Sequence, residues 1–183
     1  TVTYNGISKG KLFAGAISQA AYPFLSEAYK IGDRVKIIST YHKLQDLICI
    51  VTVPIYALIP LIIVPIYAYI FTGDVARMML IPAICLCVGF YLNVTTTLPG
   101  TFAYVVGNPE IVARASIYAL FTVLPVTVLL TYYLGLTGAG LSWVFYNIFA
   151  YCYAIPRICS ECLKVPLWQW YLHVWKIFIL IGC

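Results

Sequence analysis

The residues YYLGLTGAGLSWVFYN, 132–147, hold three glycines and no charge, inside a run that stays apolar far in both directions. Positions 115–156, between Arg114 and Arg157, contain no Asp, Glu, Lys or Arg. A hydrocarbon core of about 30 Å is crossed by about 20 helical residues rising about 1.5 Å each. The uncharged interval is therefore twice the length of one span. GLTGAG, residues 135–140, supplies the permissive backbone that a tight reversal needs. The stretch predicts a hairpin between two membrane helices, at about 114–134 and 139–156.

Composition extends the reading to the whole chain. Of 183 residues, 63% are hydrophobic and 9% charged, with a mean hydropathy of +0.94, whereas soluble domains carry about 25% charged residues. All six acidic residues, Glu27, Asp33, Asp46, Asp74, Glu110 and Glu161, fall near the borders of apolar runs, where the cost of burying an ionised group in hydrocarbon would put them. The expected fold is an all-α polytopic membrane bundle. Its spans are placed at about 12–28, 47–71, 78–106, 114–134 and 139–156, so that 1–158 forms a five-helix unit. Residues 159–183 begin with charges and with Trp168, Trp170 and Trp175. They are expected to lie at the headgroup level and to start a sixth span near Ile177. The chain opens on Thr1 with no secretory leader pattern and reads as part of something longer.

Orientation follows from the alternation of Lys and Arg between loops. Lys30, Arg34, Lys36, Lys43, Arg114, Arg157, Lys164 and Lys176 gather on one side, against Lys9, Lys11 and Arg77 on the other. The loop 27–46 is thus expected to be cytoplasmic, in a multi-pass cell-membrane protein. The net charge of +5 is a topology signal, and no nucleic-acid partner is expected. Pro23, Pro54, Pro60, Pro65, Pro82, Pro99 and Pro125 fall inside spans; they fit either ordinary membrane-helix composition or bent helices around a moving cavity.

Enzyme chemistry lacks its parts. No two acidic residues stand within five positions of each other to hold a metal against diphosphate, and there is no glycine-rich phosphate loop ending in Lys and Ser or Thr. No cofactor is expected. Seven cysteines read as small buried hydrophobes, and His42 and His173 have no ligand spacing, so no metal site is expected. Asn93-Val94-Thr95 is a glycosylation sequon deep in an apolar run, out of reach of a transferase.

Four ordered segments carry a resemblance. They are AAYPFLSEAYKIGDRVKI (20–37), IFTGDVARMMLIPAI (70–84) with Gly73, YVVGNPEIVARASI (104–117) with Gly107, and LGLTGAGLSWVFYNI (134–148) with Gly135, Gly138 and Gly140. Together, over about residues 3–156, the chain resembles the C-terminal half of the lipid-linked oligosaccharide and polysaccharide flippases of the multidrug/oligosaccharidyl-lipid/polysaccharide exporter superfamily. The resemblance implies half of a two-lobed, alternating-access transporter. Its implied partners are membrane lipids, a polyprenyl-diphosphate-linked glycan and an N-terminal lobe of the same chain. It also implies that the helix of Gln19 and Tyr22 borders the cavity. Gln19 then either lines the substrate path or bonds a neighbouring helix. Lys9 and Lys11 either meet diphosphate or anchor at the interface. Asn93 and Asn147 either contribute to the path or bond between helices. A multidrug cation antiporter of the same superfamily and a non-transporting structural membrane subunit are the alternatives.

Overall fold

A computed structural model describes residues 8–70 and 73–182, and every element among them is helical. The elements are α1 (Gly10–Ile31), α2 (Arg34–Ile70), α3 (Gly73–Val106) and α4 (Glu110–Arg157), then a π-helical turn (Ile158–Leu163) and α5 (Leu167–Gly182). Three stretches are long and apolar enough to cross a membrane: Arg34–Ile70, Arg77–Val106 and Glu110–Leu163.

Five full spans were expected, and the difference has two sources. The 22-residue helix α1 has the length, but Ser18, Gln19, Ser26 and Glu27 dilute its apolar content, and it is not among the three. The expected fourth and fifth spans form one apolar stretch. That stretch is not straight, because Gly135 sits at φ 57°, ψ −128°. Beyond it the chain folds back on itself. A Cβ on Gly138 would lie 1.9 Å from the Leu130 carbonyl oxygen, and the Tyr118 and Tyr153 rings meet edge to face at 5.2 Å. The reversal takes one residue, and Gly138 and Gly140 lie inside helix instead of forming a loop. They are there for close approach: a Cβ on Gly140 would come within 3.1 Å of the Pro82 carbonyl oxygen on α3.

The long basic loop at 27–46 is also absent. α1 runs through Pro23 to Ile31, Gly32 takes φ 75° and closes the helix onto the Tyr29 carbonyl, and Asp33 starts the next one. Its Oδ1 accepts from the backbone N–H groups of Val35 and Lys36 at 3.0 and 3.2 Å, which satisfies two of the four donors that a helix start leaves open. Arg34, Lys36 and Lys43 therefore ride on the first turns of α2. At 37 residues α2 is about 55 Å long, well beyond a hydrocarbon core of about 30 Å, and its uncharged part begins only after Asp46.

A similar closure ends α3, where Gly107 at φ 83° lets its own N–H reach Tyr104 O and that of Asn108 reach Ala103 O. The turns at Gly32 and Gly107 and the π-helical turn share one end of the bundle. Arg34 donates to the Lys164 carbonyl at 2.5 Å, and Asn108 donates to Glu161 at 3.3 Å.

The core runs along α3. Phe90, Val94, Leu98 and Phe102 are fully buried, and their spacing of four residues keeps them on one side of the helix. Leu25 of α1, Ile48 of α2 and Ile155 of α4 belong to the same cluster. Tyr56 stacks parallel to Phe90 at 6.3 Å between ring centres, and Trp143 reaches the same ring at 5.3 Å. The outward side of α4 before Gly135 exposes Ile117, Phe121, Leu124, Val128 and Tyr132, a continuous apolar strip of the kind that marks a surface not meant for water.

α5 starts at Leu167, ten residues before the expected sixth span, and returns to pack on α2. Trp170, expected at the headgroup level, is buried in the core, while Trp168 and Trp175 are exposed.

Gly138→Ala should destabilise the fold by about 1–3 kcal/mol, because backbone and not a flexible side chain occupies the new methyl's place. Gly100→Ala, with nothing within 4 Å, should instead gain about 0.5–1 kcal/mol from helix propensity. Unfolding in mixed micelles followed by circular dichroism compares the two.

Candidate functional site

The bundle's polar interior begins on one face of α2. Gln45, Cys49, Thr52 and Tyr56 follow at steps of four, three and four residues and are all buried, so a helix places them in one line toward α3. Thr52 satisfies its hydroxyl on the Ile48 carbonyl at 2.6 Å. Gln45 Nε2 donates to the Thr95 carbonyl of α3 at 3.3 Å and also approaches Cys49 Sγ at 3.7 Å. Thr95 Oγ1 shares a short hydrogen bond with the Tyr151 hydroxyl of α4, and the Tyr171 hydroxyl of α5 donates to the Tyr151 carbonyl at 2.8 Å. Four helices are thus joined through Gln45, Thr95, Tyr151 and Tyr171. Buried bonds of this kind hold because the alternative in hydrocarbon is an unpaired polar group.

Beside this network lies a cleft of about 300 Å³, at the lower end of the sizes that hold small molecules. Val53, Tyr56 and Pro60 of α2, Val88 and Tyr91 of α3, and Trp175 of α5 form its walls. No charged residue contributes to them. The surface suits an apolar occupant and offers nothing to a diphosphate.

A second group of polar side chains joins α2 to α5. The Trp170 indole N–H donates to the Tyr41 hydroxyl at 2.9 Å, with both residues buried. One turn along each helix, His173 Nε2 stands 2.6 Å from Asp46 Oδ1, and the His42 and His173 rings lie 4.2 Å apart at an angle of 55°. Among the described residues no group of three or more His, Cys, Asp or Glu side chains is arranged to hold a metal ion.

The residues picked out from the sequence lie elsewhere. Lys9 is exposed just before α1, and the side chain of Lys11 lies outside the described residues. Gln19 and Tyr22 are exposed on α1, whereas Ser18 beside them is buried. Asn93 is half-buried; its carbonyl accepts from Thr96 and Thr97, and its side-chain oxygen has no hydrogen-bond partner. None of Lys9, Gln19, Tyr22 and Asn93 lines the cleft. Asn147 is fully buried, but its amide bonds the Trp143 carbonyl of its own helix at 2.7 Å and so makes no interhelical link. Of the turn glycines, Gly107 and Gly135 take positive φ and Gly73 opens α3. Cys49, Cys87 and Cys159 are buried and unpaired.

Sequence reasoning missed Gln45, Tyr41 with Trp170, and the two histidines with Asp46. A local signal existed for Gln45, because it falls on the α2 face that continues through Cys49, Thr52 and Tyr56. The histidine pair had none, since 131 positions separate its members. Compared with protein-family models, with curated proteins and with solved structures, the chain finds no match.

Tyr41→Phe removes the one acceptor of a buried indole N–H and should cost about 1–3 kcal/mol. Tyr69→Phe, at a residue 93% exposed, should stay within about 0.5 kcal/mol. The same micellar unfolding measurement separates them.

Proposed function

We propose that this chain is the membrane-embedded part of a transporter that moves lipid-linked oligosaccharide or polysaccharide precursors across a cell membrane by alternating access. The observation that carries the reading is the uncharged cleft between α2, α3, α4 and α5, the first three of which include stretches long and apolar enough to cross a membrane. A cargo with a hydrocarbon anchor needs such a slot, and the anchor would lie in it while the polar part travels elsewhere.

Three further features agree with this reading. The bundle gathers Lys30, Arg34, Arg114, Arg157 and Lys164 around the turns at one end, as a cytoplasmic face would. Pro54, Pro60 and Pro65 lie within α2, where missing backbone bonds make a helix bend easily. The fold-back at Gly135 divides the longest apolar stretch into limbs of 25 and 22 residues, 110–134 and 136–157. Each is about the length of one crossing. With α1, the uncharged part of α2, and α3, the proposed unit has five crossings, the α1–α2 turn facing the cytoplasm of a multi-pass plasma-membrane protein. The polyprenyl-diphosphate-linked glycan, surrounding lipids and an N-terminal lobe of the same protein are its proposed partners, and the face of Gln19 and Tyr22 is the proposed meeting place with the glycan.

A photoreactive side chain at Ala57, which lines the cleft, should label a lipid-linked oligosaccharide in reconstituted vesicles of the full protein, and one at Gln19 should label its glycan. Ala57→Trp should slow glycan exposure about tenfold, equal to about 1.4 kcal/mol of lost binding. Labelling at neither position, with transport unchanged in Ala57→Trp, would overturn the proposal.

A further inference from the structure

The chain contains two histidines, and the fold brings both to one place. His42 and Asp46 stand one helical turn apart on α2 and so share a face, and His173 approaches them from α5. His173 Nε2 and Asp46 Oδ1 stand 2.6 Å apart, at ion-pair distance but without hydrogen-bond geometry; both atoms are shielded from water and neither has a hydrogen-bond partner. His42 Nδ1 is shielded as well and also lacks a partner. The His42 ring has the Tyr41 ring at its edge, 5.9 Å away, and the His173 ring at 4.2 Å. Other charges on the two helices stay outside the group, Lys43 and Lys176 being exposed. Glu161, on the π-helical turn that packs against α5, is exposed and accepts from Asn108.

We propose that His42, Asp46 and His173 form a proton-binding site that fastens α5 to α2. One proton on the imidazole pair places a cation against the Asp46 carboxylate at ion-pair distance. A second proton would put two cations on rings 4.2 Å apart, which their mutual repulsion opposes. A charge on either imidazole is therefore felt by the other. The sign follows directly. While Asp46 is ionised and one imidazole carries a proton, the cluster holds an ion pair. Loss of that proton at higher pH removes the cation, and the attraction to the Asp46 carboxylate weakens with it. The site does not depend on the transport reading; it rests on the geometry of these three side chains.

The consequence is mechanical. α5 is held to α2 by two adjacent fastenings: the Trp170–Tyr41 bond, which no physiological pH alters, and the His173–Asp46 contact, which responds to protons. α5 also supplies Val174 and Trp175 to the wall of the cleft, so a change in its seating reaches the cleft directly.

Carbon-13 labelling of histidine in the full chain, in lipid nanodiscs, gives one signal per imidazole. The expected result is a two-step titration shared by both signals, which becomes a single step for His173 in His42→Gln and for His42 in His173→Gln. Hydrogen exchange over residues 167–176, corrected for the intrinsic pH dependence, should show protection falling about tenfold between about pH 5.5 and about pH 8. Asp46→Asn should abolish that dependence. His173→Gln supplies the same comparison where Asp46→Asn does not fold. Independent single-step titrations with pH-independent protection of 167–176 would overturn the proposal.

Discussion

In hydrocarbon there is no water to take up a free backbone N–H or C=O, so a chain that crosses it must keep its peptide groups paired inside helices until it reaches an end. The helices here that are long and apolar enough to cross a membrane meet that constraint. Three reversals among the described residues take very few residues: Gly32 and Gly107 turn the chain at the basic end, and Gly135 turns it within α4. Each has positive φ, which glycine adopts at little cost. Lys164, at φ 52° after the π-helical turn, is the one non-glycine residue among the described residues to do the same. Its neighbourhood is tied down, since its carbonyl accepts from Arg34 and Val165 N–H closes onto Cys159 O.

Once the turns are this short, antiparallel neighbours follow, and the core forms where their faces meet. α3 is the centre, packing against α1, α2 and α4. Small residues set the distances. Gly140 lets α4 approach the α3 backbone near Pro82, and a Cβ on Gly89 would lie 2.5 Å from the Trp143 ring. Polar residues then fix which faces meet, because Gln45 finds its acceptor only when α2 and α3 are in this register. The chain that joins Gln45, Thr95, Tyr151 and Tyr171 links the same helices that shape the cleft.

The fold-back at Gly135 was legible because run length and glycine spacing are strong signals: an uncharged stretch of 42 residues is about twice what one hydrocarbon core accommodates. The all-helical character followed from composition for the same reason. Less legible was where helices stop. Charges at 27–46 suggested a loop, yet charged residues also lie comfortably on a helix longer than a hydrocarbon core, and α2 has that length. The candidate residues were chosen for being polar within apolar runs. On α1 that picked Gln19, which is exposed, and passed over Ser18, which is buried, because Pro23 and the short span left its facing direction undetermined. Trp170 misled through composition, since a tryptophan near charges reads as interfacial until a partner for its N–H is found far away. Tyr41 is that partner, and no local pattern points from one to the other.

The Trp170–Tyr41 bond also sets an order of events. Its members are 129 positions apart, so at about 5–20 residues per second a ribosome adds the second about 6–26 s after the first. Throughout that interval α2 and α3 are made while the α5 side of Tyr41 and Asp46 has no cover from this chain. The helix that covers this face is made after α2, α3 and α4, so its seating comes later than theirs. A nascent bundle held before residue 170 would therefore present the Tyr41 hydroxyl and the Asp46 carboxylate to whatever surrounds it.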